Sequence, residues 1–203
     1  GNEERKLQME KILNITMNIL YKNDDGIDEK KAEIIKYGLE IIFLKITFFA
    51  STMIMGALMH SFWECLIFTA LFSRIRSLAG GYHASTRMQC FVQSMLTFAA
   101  VLGVLKLVKI YSVILIPIVV LALISTAIIF RFAPMDTENK RLDEDEISAF
   151  RIKLRIVMLI EIATAVISYF IGYESISCSV MLALFVTAIL ISVELIKYKV
   201  KYE

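Results

Sequence analysis

His83 and Cys90 lie on the stretch RSLAGGYHASTRMQC, residues 76–90, between two apolar blocks. An imidazole and a thiol are the parts of a nucleophilic acyl-transfer site: the base takes the thiol proton, and the thiolate attacks a carbonyl. Seven residues along one straight helix rise about 10.5 Å, too far for a direct hydrogen bond. A turn must therefore lie between the two. Gly80-Gly81 and the polar pair Ala84-Ser85 are expected to supply flexibility on the histidine side. Thr86-Arg87-Met88-Gln89 reads as a capping box, so a helix is expected to begin at Arg87. Cys90 then falls in its first turn, where the helix dipole and Arg87 favour the thiolate. Arg76 is suited to bind a substrate carboxylate or to stabilise an oxyanion. Arg74 reads as an interface anchor. Residue types alone leave open an ordinary basic loop with an incidental cysteine.

The remaining chemistry is sparse. Three cysteines and two histidines offer neither HExxH nor CxxC, so no metal site and no cofactor is expected. Cys65 and Cys178 fall in apolar blocks and read as packing thiols. His60 has no cysteine placed to partner it. A second polar connector reads RFAPMDTENKRLDEDE, residues 131–146. Pro134 is expected to end the element before it. Asp136 and Lys140 are its candidates for peptide contact, and residues 143–146 read as solvated. A net charge of +2 gives no reason to expect nucleic acid.

The elements that must position these groups are apolar helices. Of the 203 residues, 58% are hydrophobic, and the mean hydropathy is +0.68. Soluble domains are about 45–50% apolar. The expected fold class is all-α: a polytopic membrane protein of about six transmembrane helices with an N-terminal amphipathic helix, in one integral membrane domain spanning 1–203. Within it, 1–40 carries the amphipathic and cytoplasmic helices, 41–196 the transmembrane bundle and 197–203 a basic tail. Residues 5–22 set Leu7, Met9, Ile12, Leu13, Met17 and Leu20 mainly on one side, and NDDG at 23–26 is a turn. No cleavable leader is expected after GNEERK.

The apolar blocks run about 41–59, 61–73, 91–105, 110–130, 154–171 and 176–196. A span needs roughly 20 residues, so the second and third blocks, which flank the 76–90 stretch, are short. Lys and Arg fall heavily on one side if both termini are cytoplasmic: Arg74, Arg76 and Arg87, then Arg131 to Arg155, then Lys197, Lys199 and Lys201. The other side holds only Lys106 and Lys109. The first two blocks join almost without a loop, at His60 and Ser61. Lys45, Glu64, Glu161 and Glu194 are ionisable residues in or near apolar blocks, and Glu161 is the favoured interior candidate.

The run Arg76-x3-Gly80-Gly81-x-His83-x6-Cys90 resembles the accessory gene regulator B (AgrB) family. Ala133-Pro134-x-Asp136-Thr137-x-Asn139-Lys140 resembles that family's second motif, and the span pattern is similar over nearly the whole chain. The chain departs from the pattern at Arg141, where proline is expected. The resemblance implies a membrane cysteine endopeptidase of Gram-positive quorum sensing, in the cell membrane with its site near the cytoplasmic face. It implies an AgrD-type precursor peptide as substrate, whose C-terminal tail is removed and whose remainder is closed into a thiolactone. It implies His83 and Cys90 as catalytic, Arg76 and Gly81 as needed for activity, and a homodimer among membrane lipid. A small transporter or peptide exporter built on Glu161 and Lys45 is the rival reading. A non-catalytic peptide scaffold is a third.

Overall fold

The structure, a computed structural model, describes residues 29–82, 84, 86–135 and 143–202. Among them are six α-helices: α1 (Glu29–Leu58), α2 (Phe62–Ala79), α3 (Arg87–Ile110), α4 (Leu115–Phe132), α5 (Glu144–Ile171) and α6 (Glu174–Tyr202). A single 3-10 turn, Ser112–Ile114, leads into α4. The helix expected at 5–22 and the turn at 23–26 lie outside the described residues. The helical membrane fold expected from composition is the fold observed. Five helices are long and apolar enough to cross a bilayer, and α2 is the exception. Its 18 residues include Glu64, Arg74 and Arg76, and they rise about 27 Å. The third apolar block proves longer than its hydropathy suggested, because Met88–Ile110 is one continuous helix.

The chain divides into two compact units, residues up to Ser51 and residues from Thr52 onward. In the first, α1 carries Ile34, Tyr37, Ile42 and Ile46 largely exposed. That is the surface a helix presents to hydrocarbon. In the second, α6 is the hub and packs against α2, α3, α4 and α5. Every residue from Ser177 to Leu184 is buried, and 67% of its most apolar window is enclosed, against 28% for each of α3, α4 and α5. A helix apolar on all sides is satisfied only when surrounded.

Tight turns join the helices. Between α1 and α2 only Met59, His60 and Ser61 intervene. His60 takes a positive φ of 51°, and Ser61 N–H donates to Gly56 O at 2.8 Å. A Cβ on Gly56 would sit 2.7 Å from Cys65 Cβ, so glycine permits the close crossing. The junction at His60 and Ser61 is thus a tight turn with almost no loop. Gly172, with φ 91°, ends α5, and Tyr173 N–H donates to Ser168 O at 2.7 Å in the manner of a glycine cap.

The α2–α3 pair matters most for the site. Phe68 and Phe98 meet edge to face at 5.0 Å, and Phe72 meets Phe98 at 6.2 Å. Lys109 pairs with Glu64 at the far end. These contacts define one antiparallel register. Carried to the near end, it brings the last turn of α2, with Arg76, to the first turn of α3, with Cys90.

Candidate active site

Cys90 occupies the fourth position of α3. Thr86 is the N-cap, with extended backbone, and its Oγ1 accepts from Gln89 N–H at 3.2 Å. Cys90 N–H donates to Thr86 O at 3.0 Å, closing the first turn. The helix start expected at Arg87 is therefore observed, with the threonine arm of the capping box in place. Cys90 is partly exposed, whereas Cys65 and Cys178 are 0% exposed. Cys65 Sγ donates to Thr52 O at 3.2 Å. The two apolar cysteines are the packing thiols their positions suggested.

Arg76 performs a task that residue type did not reveal. Its Nη1 donates to Gly80 O. Its Nη2 donates to Tyr82 O at 2.5 Å and to Gly81 O at 3.2 Å. Three successive carbonyls thus converge on one guanidinium. Of its five N–H groups, three are committed to the turn. Burial lowers the proton affinity of this guanidinium from its ordinary value, and the Cys90 sulfur and the Glu194 carboxylate oppose that effect. A fixed positive charge therefore stands near the thiol.

Gly80 and Gly81 are held in place rather than flexible. Gly80 has φ 70° and ψ −150°, and Gly81 has φ 106°, conformations that side chains rarely adopt. A Cβ on Gly80 would lie 2.5 Å from Met135 O, and one on Gly81 would lie 3.2 Å from the backbone of Leu190 and Ile191. The expectation of flexibility fails because both glycines sit where two other parts of the chain approach.

Those two parts complete the surroundings. The second connector follows Phe132, and its Met135 N–H donates to Ala79 O at 2.8 Å. The two polar connectors are therefore joined by backbone, between residues more than 50 positions apart in sequence. Tyr82 lies on α6: its N–H donates to Leu190 O at 3.0 Å, and Lys197 Nζ stands 5.9 Å from its ring centre.

His83, Asp136 and Lys140 lie outside the described residues, as does the Arg87 side chain. Among the expected residues, the structure brings together Arg76, Gly80, Gly81 and Cys90. Sequence reasoning missed the wall formed by Leu190, Glu194 and Lys197. Its one signal was an acid near the end of an apolar block, and the weight went to Glu161 instead. Glu161 is indeed interior, 2% exposed, on the stripe Leu154, Met158, Glu161, Ala165, Ser168 along α5, all buried. Neither of its oxygens has a hydrogen-bond partner among the described residues. No cluster of three or more metal-ligating side chains occurs among the described residues.

An apolar helical bundle with an accessible thiol at a helix start, near a braced glycine turn, defines a polytopic membrane protein. Residues 13–192 match the family model for accessory gene regulator B. A putative AgrB-like protein of Clostridium perfringens strain SM101 is 28% identical over 167 residues, covering 77% of each chain. A second putative AgrB-like protein, from C. perfringens strain 13, is 26% identical over the same share. The accessory gene regulator protein B of Staphylococcus intermedius is 24% identical over 133 residues, 66% of this chain and 69% of that one. No solved structure matches. The chain belongs to the accessory gene regulator B family, which ties it to the accessory gene regulator system of quorum sensing.

Proposed function

We propose that this protein is a membrane cysteine endopeptidase that removes the C-terminal tail of an AgrD-type precursor peptide and promotes thiolactone closure. The observation that supports it best is the placement of Cys90. It is the accessible cysteine of the three, in the first turn of α3, near the guanidinium that braces the turn leading into His83.

His83 takes the Cys90 proton, and the thiolate attacks the peptide carbonyl. The tetrahedral oxyanion collapses, His83 returns the proton to the leaving amine, and the tail departs. The peptide core remains as a thioester on Cys90. A thiol within that core then attacks the same carbonyl, closing the ring and releasing Cys90. The first step runs uphill, because an amide is more stable than a thioester. The second exchanges one thioester for another, and its rate depends on holding the internal thiol close. Water must be excluded, or hydrolysis consumes the intermediate. A site at the end of α2, at the edge of the bundle, suits that need. Asp136 and Lys140 contact the peptide in this reading, because Met135 ties their connector to the end of α2. Arg76 and the Gly80–Gly81 backbone shape the floor. The site faces the cytoplasm, and two copies of the chain form the working unit.

The export reading rests on Glu161, buried with both oxygens unpartnered among the described residues. Purified protein in lipid, incubated with an AgrD-type precursor, separates the two readings by intact mass. Tail release and an acyl adduct on Cys90, both lost in Cys90→Ala and in a folded His83→Ala, are expected. Normal release by either variant would remove the dyad.

A further inference from the structure

The turn at residues 80–82 rests on α6, and that contact singles out one acid. Tyr82 touches α6 at two places: its N–H reaches Leu190 O at 3.0 Å, and its ring lies 5.9 Å from Lys197 Nζ. Gly81 presses against the backbone of Leu190 and Ile191. Residues 190, 194 and 197 share one face of a helix. Glu194 therefore stands between the two contacts, on the face the turn covers. Its Oε2 is shielded from water and has no hydrogen-bond partner among the described residues. A half-buried carboxylate with one unpartnered oxygen gains from a nearby opposing charge. Lys197 is engaged with the Tyr82 ring, and Arg76 lies within the electrostatic reach of Glu194.

We propose that Glu194 is a positioning residue: its carboxylate is the counter-charge that holds the Arg76 guanidinium on the carbonyls of Gly80, Gly81 and Tyr82. The turn that leads into His83 is thereby set against α3 and Cys90. Glu194 touches no reacting atom and acts through Arg76. Its consequence for catalysis rests on the peptidase reading, whereas its effect on the turn does not.

Hydrogen exchange read by mass spectrometry tests the turn without any substrate. Wild type, E194Q, E194D, R76Q and the double variant E194Q/R76Q are compared in lipid nanodiscs, using peptides that cover residues 78–84. Losing the attraction between two partly buried opposite charges shifts an opening equilibrium by roughly tenfold. E194Q should therefore raise exchange across residues 80–82 by about tenfold, with peptides around Phe68 and Phe98 unchanged. E194D should return to within about threefold of wild type. The double variant should exchange no faster than R76Q alone, because the two groups act as one unit. Unchanged exchange in E194Q, or additive effects in the double variant, would overturn the proposal. So would loss of folding in both E194Q and E194M, since the effect must be confined to the turn.

The same preparations are assayed for tail release. E194Q should lower kcat with KM little changed, and E194D should recover it. A wild type that releases no tail, with exchange behaving as expected, removes the peptidase reading and leaves Glu194 standing. A processing wild type with unchanged E194Q exchange does the reverse.

Discussion

Gly80→Ala is the most exacting test of the site, because two separate features of the structure oppose a methyl group there. The backbone at Gly80, φ 70° and ψ −150°, lies in a region essentially reserved for glycine. Holding alanine in it costs about 1–3 kcal/mol. The new Cβ would also stand 2.5 Å from Met135 O, a backbone atom that no side-chain rotation can move aside. Met135 is itself tied to Ala79 O at 2.8 Å, so relief requires the second connector to shift or the turn to open. Either movement disturbs the Arg76 hydrogen bonds to Gly80, Gly81 and Tyr82. Taking the strain alone, about 1.4–2.8 kcal/mol lost from the productive geometry lowers the rate roughly ten- to a hundredfold. The helices should survive, because α2 ends at Ala79 and its aromatic contacts with α3 lie two or more turns away. The assay is tail release from an AgrD-type precursor in lipid, with circular dichroism and thermal unfolding as fold controls. A Gly80→Ala protein that processes at the wild-type rate would refute the idea that this glycine's conformation builds the site.

Other perturbations probe separate parts of the arrangement. Thr86→Ala removes the one side-chain cap observed on α3 and should cost about 1 kcal/mol locally; processing should fall several-fold while thermal unfolding shifts little, and an unchanged rate would detach the cap from the site. Iodoacetamide on folded protein should label Cys90 well before Cys65 or Cys178, because the latter two are 0% exposed; comparable labelling of all three in peptide maps would contradict this packing. Glu161→Ala in a folded protein should leave peptide cleavage intact, and loss of transport with cleavage unaffected by Cys90→Ala would favour the export reading. Lys109→Ala should change stability by less than about 1 kcal/mol, because Lys109 is 52% exposed and its pair with Glu64 is partly solvated.

Several of these features were legible in the residues. Apolar blocks of near-span length announce helices in any context, because backbone polar groups in hydrocarbon must be satisfied within the segment. The cap at Thr86 is a local pattern, since donor and acceptor lie three residues apart. That is why the helix start, and the place of Cys90 within it, could be read directly. The two apolar cysteines were readable for the same reason: burial follows the block in which a residue sits. The resemblance to the AgrB family rests on spacing in the chain, and the family match covers the same stretch.

Other features depended on partners remote in sequence. Gly80 and Gly81 read as flexible because glycine is permissive when considered alone. Met135 and the backbone of Leu190 and Ile191 turn that freedom into a fixed, crowded conformation. Arg76 read as a ligand for substrate because a guanidinium is a versatile donor. Only the folded turn shows three of its N–H groups committed to carbonyls within six residues of it. Glu194 and Glu161 are both acids within apolar blocks. What separates them is the face each presents: Glu161 points along the α5 stripe into the bundle, and Glu194 lies beneath Tyr82. The sequence by itself therefore determined a helical membrane protein with its thiol at a helix start, since hydropathy and capping act between near neighbours. Tertiary structure alone decided what braces that thiol's surroundings, since contacts between α2, the second connector and α6 form only when segments more than 50 residues apart meet.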